Sequence, residues 1–165
     1  MGKLASIIAI MLCCIVSNAQ SSYVPAYSTI LKSDKGKAVM AQCSRSIPEG
    51  VTGYFDLTDV EVAKLDSNFK KILYVRSEGC CIVRSTVKNL DRYAYQFIGV
   101  MKGNQKYIYV NAFSIDPKTG PRDANKDWQN TPTIACDGGE SFWGVMFKLS
   151  DGTFSDLAMN GVANP

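Results

Sequence analysis

No histidine occurs among the 165 residues of this chain. A Ser-His-Asp triad, a Cys-His dyad and histidine ligation of a metal are therefore excluded within it. The sequence also contains no GxSxG nucleophile elbow, no phosphate-binding P-loop, no GxGxxG fingerprint and no EF-hand loop. We accordingly predict no catalytic residue, no cofactor and no metal site.

Neither sign of charge dominates, because 18 basic and 15 acidic residues leave a net charge of only +3. This balance is typical of an ordinary solvated surface and argues against a nucleic-acid partner. An apolar run of about 20 residues, the length needed to cross a bilayer, is also lacking. We predict no integral membrane span once the N-terminal segment is removed.

That N-terminal segment has the form of an export signal. A basic tripeptide is followed by an apolar run over residues 4–16 and by small residues up to Ala19. The run is too short for a membrane span and is typical of a secretory signal peptide. We predict a signal peptide over residues 1–19 and a single domain over 20–165 with an irregular N-terminal lead-in, in a secreted or periplasmic protein. The alternatives are a lipoprotein signal at Cys13 or Cys14 and a retained anchor.

Two hairpins are indicated by runs of aromatic and β-branched residues on either side of a turn. Residues 93–113 predict two strands joined by a turn at Lys102-Gly103-Asn104-Gln105. Residues 142–149 and 154–159 predict a second pair around the Asp151-Gly152 turn.

The clearest helix is predicted over residues 58–73. Thr58 and Glu61 fit a capping box, and Leu65, Phe69 and Ile72 form an apolar stripe at helical spacing. The fold class predicted is α+β, with one main helix packed on an antiparallel sheet of about four strands.

Aromatic side chains are concentrated in the first hairpin. If the helix covers the sheet face that carries the isoleucine, valine and tryptophan side chains, these aromatic side chains lie together on the opposite face. They are then either covered by the N-terminal segment and the 114–131 loop, or exposed as a concave aromatic surface for a protein, peptide or glycan. The predicted ligand-binding residues are Tyr93, Tyr95, Tyr107, Tyr109 and Phe113.

Four cysteines remain after the predicted signal peptide, namely Cys43, Cys80, Cys81 and Cys136. An oxidising compartment favours disulfides, although adjacent cysteines rarely bond each other. We expect at least one disulfide and favour Cys136 with Cys80 or Cys81, since both regions enter the sheet; buried free thiols are the alternative. Cys136 as a nucleophile would lack a histidine base.

Three motifs carry a resemblance: Tyr95-Gln96-Phe97, the YIYVNAF run at 107–113, and DGG at 137–139 followed by FWGV at 142–145. They resemble small exported proteins of unknown function of the Bacteroidetes type, over residues 57–163. That resemblance implies no activity. The helix followed by an antiparallel meander is similar in shape to cystatin-like folds, but the Gln-Val-Val-Ala-Gly inhibitory motif is absent.

These features favour a secreted or periplasmic non-enzymatic binding module of unknown ligand. The alternatives are a carboxylate-based secreted hydrolase acting on glycans and a structural envelope-associated protein.

Overall fold

The computed structural model describes residues 22–121 and 126–162, so the predicted signal peptide lies outside the described residues. The strands are Ser28–Ile30 (β1), Val51–Phe55 (β2), Tyr93–Lys102 (β3), Gln105–Ser114 (β4), Phe142–Lys148 (β5) and Thr153–Met159 (β6). The α-helices are Gly36–Met40 (α1) and Asp59–Asp66 (α2). Short 3₁₀ helices span Ser33–Lys35, Phe69–Tyr74, Leu90–Arg92 and Gly139–Ser141.

All six strands form one mixed sheet in the order β1-β3-β4-β5-β6. At the β3 edge, β1 pairs in parallel with residues 95–97, and β2 pairs antiparallel with residues 99–102. The α+β class is confirmed, whereas the prediction of about four antiparallel strands is wrong. The two missed strands lie in or next to the stretch that we expected to be irregular; they are short, and they pair with β3 rather than with each other.

The turn predicted at residues 102–105 of the first hairpin is confirmed. Lys102 pairs with Gln105, so the loop contains only Gly103 and Asn104, with Gly103 at a φ of 57°. A two-residue loop places odd-numbered residues of β3 opposite even-numbered residues of β4. Tyr95 therefore shares a face with its partner Ala112, not with Tyr109.

The predicted long helix is two shorter ones. The capping box is confirmed. The Thr58 side chain accepts a hydrogen bond from the backbone N–H of Glu61, and the Glu61 carboxylate accepts one from the backbone N–H of Thr58. The helix ends near Ser67 and Asn68, whose side chains donate to the carbonyls of Ala63 and Lys64. These side chains compete with the backbone N–H groups, and the chain continues as a 3₁₀ helix.

The sheet face toward α2, which we name the first face, is apolar. Leu65, Phe69 and Ile72 are fully buried against it, as the helical stripe predicted. The strand side chains of this core are Tyr95, Phe97, Ile108, Val110, Ala112, Trp143, Val145, Phe147, Leu157 and Met159.

The opposite face, named the second face, is also covered. At one end Ile98, Val100, Tyr109 and Met146 pack under Leu31, Val39 and Met40. At the other end Ala94 and Phe113 pack with Trp128. Gln96 and Asn111 pair across the hairpin between these two apolar patches, so a polar band crosses the buried second face.

Candidate functional site

The five aromatic residues predicted to bind a ligand do not lie on one surface. Tyr95 is buried on the first face, where its hydroxyl donates to the Leu90 carbonyl at 2.6 Å. Tyr109 and Phe113 are buried on the second face, and Tyr93 and Tyr107 are half-buried. The prediction of one shared aromatic face is therefore wrong. A hairpin loop with an even number of residues places odd-numbered residues of β3 opposite even-numbered residues of β4, so the odd-numbered aromatic residues of the two strands lie on opposite faces.

A disulfide joins Cys43 to Cys136, with the Cα atoms 4.7 Å apart. Disulfide formation and these two candidate residues are confirmed, but the favoured partner of Cys136 is wrong. Cys80 and Cys81 are free and exposed. The reason is a network of hydrogen bonds on the second face that draws the chain before β5 toward residues 42–45.

The centre of that network is Arg45, which is only 4% exposed. Its Nη2 donates to the Tyr109 hydroxyl at 2.8 Å and to Asn111 Oδ1 at 2.5 Å, while Nη1 lies 3.5 Å from Asn160 Oδ1. The guanidinium also lies 5.8 Å from the centroid of the Tyr109 ring. None of the ion pairs found among the described residues involves Arg45, so neutral oxygens and a ring take the place of water at its two terminal nitrogens.

Arg45, its partners and two further side-chain amides form what we call the polar cluster. Its members are Gln42, Arg45, Gln96, Tyr109, Asn111 and Asn160. Asn111 donates to Gln96 Oε1 and to the Thr133 carbonyl, both at 2.9 Å. Asn160 donates to the carbonyls of Ala135 and Asp137 at 2.8 and 3.2 Å. The polar cluster therefore fixes both chain segments that carry the disulfide.

Beside the polar cluster, residues 77–85 form a closed loop that we call the thiol loop. The Ser77 N–H donates to the Ser85 carbonyl, and the Arg84 N–H donates to the Ser77 carbonyl, both at 2.8 Å. The buried Ser77 hydroxyl donates to the Ile82 carbonyl at 2.6 Å and accepts from the Ser85 N–H at 3.0 Å. These four bonds close the neck, so the loop presents Cys80 and Cys81 from a fixed base.

The thiol loop contacts the residues on either side of Arg45 in the sequence, Ser44 and Ser46. The Cys80 N–H donates to Ser46 Oγ at 2.9 Å, and the Cys81 thiol lies 3.6 Å from the Ser44 carbonyl oxygen. That same carbonyl accepts from the Gly161 N–H at 2.8 Å. The hydrogen bond between the two thiols, with smaller contributions from burial and from the charge of Cys80, raises the pKa of Cys81.

A cleft of about 340 Å³ opens between residues 46–49, the start of the thiol loop and β6. Its apolar lining comes from Ile47, Pro48, Leu157 and Ala158, and its carboxylates from Glu49, Glu78 and Asp156. We call it the acidic cleft. The one cation that lines it is Lys102, whose Nζ lies 3.6 Å from Asp156 Oδ2.

Asp156 has an unusual backbone in this cleft. It adopts a φ of 55°, in the left-handed region that few non-glycine residues occupy. The register between β5 and β6 shifts here, so that residues 156 and 157 both lie opposite Val145. Such a bulge redirects a side chain at a sheet edge, and it brings the Asp156 carboxylate to the cleft.

The sequence carries a signal for the polar cluster that hydrophobic periodicity does not reveal. Gln96 and Asn111 interrupt the stretches 93–101 and 107–113, which are otherwise made of apolar and aromatic residues and glycine. Buried amides of this kind need partners, and they indicate that polar chain segments cross the face. No comparable signal marks Arg45, because an arginine among serines is typical of an exposed loop.

No group of three or more metal-ligating side chains was found within 22–121 and 126–162. No helix in that part of the chain is long and apolar enough to cross a membrane.

Comparison of the chain with models of known protein families, with curated proteins and with solved structures finds no match.

Proposed function

We propose that the protein is an exported, non-enzymatic binding module and that the acidic cleft is its binding surface. The observation that supports this proposal is the composition of the cleft, where the apolar side chains of Ile47 and Pro48 lie beside three carboxylates and a single lysine. Both faces of the sheet are covered, and the acidic cleft lies beside β6. The resemblance to small exported Bacteroidetes-type proteins is part of the same proposal.

The charge of the cleft selects the class of ligand. Lys102 is paired with Asp156, so Glu49 and Glu78 supply the uncompensated negative charge. A peptide segment with a lysine or arginine beside an apolar residue complements this lining. A volume of about 340 Å³ accommodates two or three such side chains rather than a folded domain.

A titration of the chain from Gln20 onward with a short peptide of lysine, arginine and leucine tests this proposal. We expect amide shifts at Gly79 and Ala158, and loss of binding in a Glu49→Gln/Glu78→Gln double variant. The matched control is Asp34→Asn/Asp59→Asn, which removes the same charge from exposed positions elsewhere. Equal affinity in the two double variants would show that binding depends on net charge alone.

A carboxylate-based hydrolase acting on glycans is the second candidate, since Glu49, Glu78 and Asp156 border one cleft. Glycosidases use two such carboxyl groups on either side of the scissile bond. Release of reducing sugar ends from polysaccharides, abolished in Glu49→Gln or Glu78→Gln, would establish this activity in place of simple binding.

A further inference from the structure

We infer that Cys80 and Cys81 form a thiol–disulfide exchange site, in which the two thiols are converted reversibly into a Cys80–Cys81 disulfide. This activity is independent of the ligand proposed for the acidic cleft. Both thiols are free and exposed, although the same chain contains a disulfide between Cys43 and Cys136. Exposed thiols in a loop are accessible to other disulfides, whereas buried thiols are inert.

The contacts of the two thiols differ, and this difference assigns them different roles in the exchange. Cys81 donates to the Ser44 carbonyl oxygen at 3.6 Å and interacts with the Cys80 sulfur, contacts that keep its proton in place. The attacking group is therefore Cys80, and Cys81 is the resolving thiol. The closed neck of the thiol loop and the Cys80–Ser46 bond hold the pair at the surface during the reaction.

The exchange requires a disulfide RS–SR as co-reactant, either a low-molecular-weight disulfide or that of another exported protein. The Cys80 thiolate attacks one sulfur, forms Cys80–S–S–R and expels RS⁻. Cys81 then loses its proton and attacks the Cys80 sulfur, which forms the Cys80–Cys81 bond and expels the second RS⁻. Two cysteine thiols are oxidised, one disulfide is reduced, and two protons leave the cysteines.

The product is expected to be reduced easily. A disulfide between adjacent residues closes a small ring whose geometry departs from the preferred one, and such bonds are more reducible than relaxed ones. Strained and exposed disulfides are the labile or regulatory ones. The Cys43–Cys136 bond, which closes a separation of 93 residues, is expected to persist under the same conditions.

The chain is suited to a direct assay, because trypsin places the Cys80–Cys81 pair in a different peptide from Cys43 and from Cys136. Cleavage after Arg76 and Arg84 places Cys80 and Cys81 together in the peptide 77–84. Cys43 falls in 38–45 and Cys136 in 127–148. The chain from Gln20 onward is treated with oxidised glutathione, blocked with N-ethylmaleimide and digested without reduction. We expect peptide 77–84 to lose both maleimide groups and to be two hydrogens lighter than the dithiol.

Two variants test the assigned roles. In Cys81→Ser we expect the reaction to stop at a glutathione adduct on Cys80, and in Cys80→Ser we expect a smaller yield of adduct on Cys81. Reduced glutathione should restore two maleimide groups on peptide 77–84 of the wild type while peptides 38–45 and 127–148 stay linked. Unchanged double alkylation, a persistent adduct in the wild type, or a cross-link between 77–84 and 38–45 would overturn the inference.

Discussion

The two faces of the sheet are buried to a similar degree but by different means. On the first face, Phe69, Tyr95 and Trp143 pack through ring contacts with centroids 5.0 to 5.8 Å apart. On the second face, a charged arginine and four amide side chains are buried between two apolar patches. Apolar packing tolerates many arrangements of similar volume, whereas a buried polar network is stable only when nearly every member has a partner.

This difference explains where the candidate site lies. The first face needs only volume and apolar area from α2 and the 3₁₀ helix after it. The second face needs particular donors and acceptors, and it obtains them from the segments around Cys43, Thr133 and Asn160. Those segments carry the disulfide and border the thiol loop and the acidic cleft. The polar cluster therefore determines the shape of the site, and the first face supplies much of the stability.

The largest effect is expected on the first face. Phe69→Ala removes a fully buried ring that contacts Tyr23, Tyr95 and Phe97. We expect a loss of about 3–5 kcal/mol in the free energy of unfolding, from transfer and cavity terms. Urea denaturation measures it, with Val60→Ala as control because Val60 is 80% exposed on α2. Similar midpoints for the two variants would contradict the packing described.

The disulfide comes next. Cys43→Ser/Cys136→Ser opens a link between residues 93 apart in sequence, and we expect a loss of about 2–4 kcal/mol, mainly because the unfolded chain gains freedom. Thermal unfolding of the double variant against the wild type is the measurement. Cys80→Ser/Cys81→Ser is the matched control, and its Tm should change little because both thiols are free.

A smaller effect distinguishes the second face from the first. Asn111→Leu leaves Arg45 Nη2 and Gln96 Oε1 each without one partner, and we expect a loss of about 1–3 kcal/mol. Adding Gln96→Leu removes the other half of the Gln96–Asn111 bond, so the double variant should lose less than the sum of the two single variants. A double-mutant cycle in urea checks this, and additive losses would show that the polar cluster is not cooperative.

The smallest effect is expected at the start of α2. Thr58→Ala removes the side chain that accepts from the Glu61 N–H, and we expect a loss of about 0.5–2 kcal/mol. Thr58→Ser retains the hydroxyl and should stay within a few tenths of a kcal/mol of the wild type. Equal losses for alanine and serine would show that the cap does not support the helix.

The two hairpins, the capping box and the buried stripe of α2 were predictable because their determinants are local. A turn, an alternating pattern and a cap can each be recognised within about 10 residues. The face carrying Tyr109 depends on the pairing register of the hairpin, since a loop longer or shorter by one residue would reverse it.

The disulfide partner of Cys136 and the strand β1 depend on contacts between distant parts of the chain. Cys43 meets Cys136 only because Asn160 and Gln42 hold their segments, over separations of 25 and 93 residues. β1 has three residues and owes its place to parallel pairing with β3. Neither the Cys43–Cys136 pairing nor the pairing of β1 with β3 produces a periodic pattern in the sequence. The acidic cleft is likewise assembled from four separate stretches.

Hydrogen exchange in two matched variants tests most directly whether the polar cluster holds the site independently of the first face. Arg45→Met perturbs the second face, and Leu65→Ala perturbs the first. The reporters are the Gly161 N–H, bonded to the Ser44 carbonyl, and the Val75 N–H, bonded to the Ile72 carbonyl. After correction for global stability, we expect Arg45→Met to lower the protection of Gly161 alone and Leu65→Ala that of Val75 alone. Equal loss at both amides in both variants would contradict this division of the molecule.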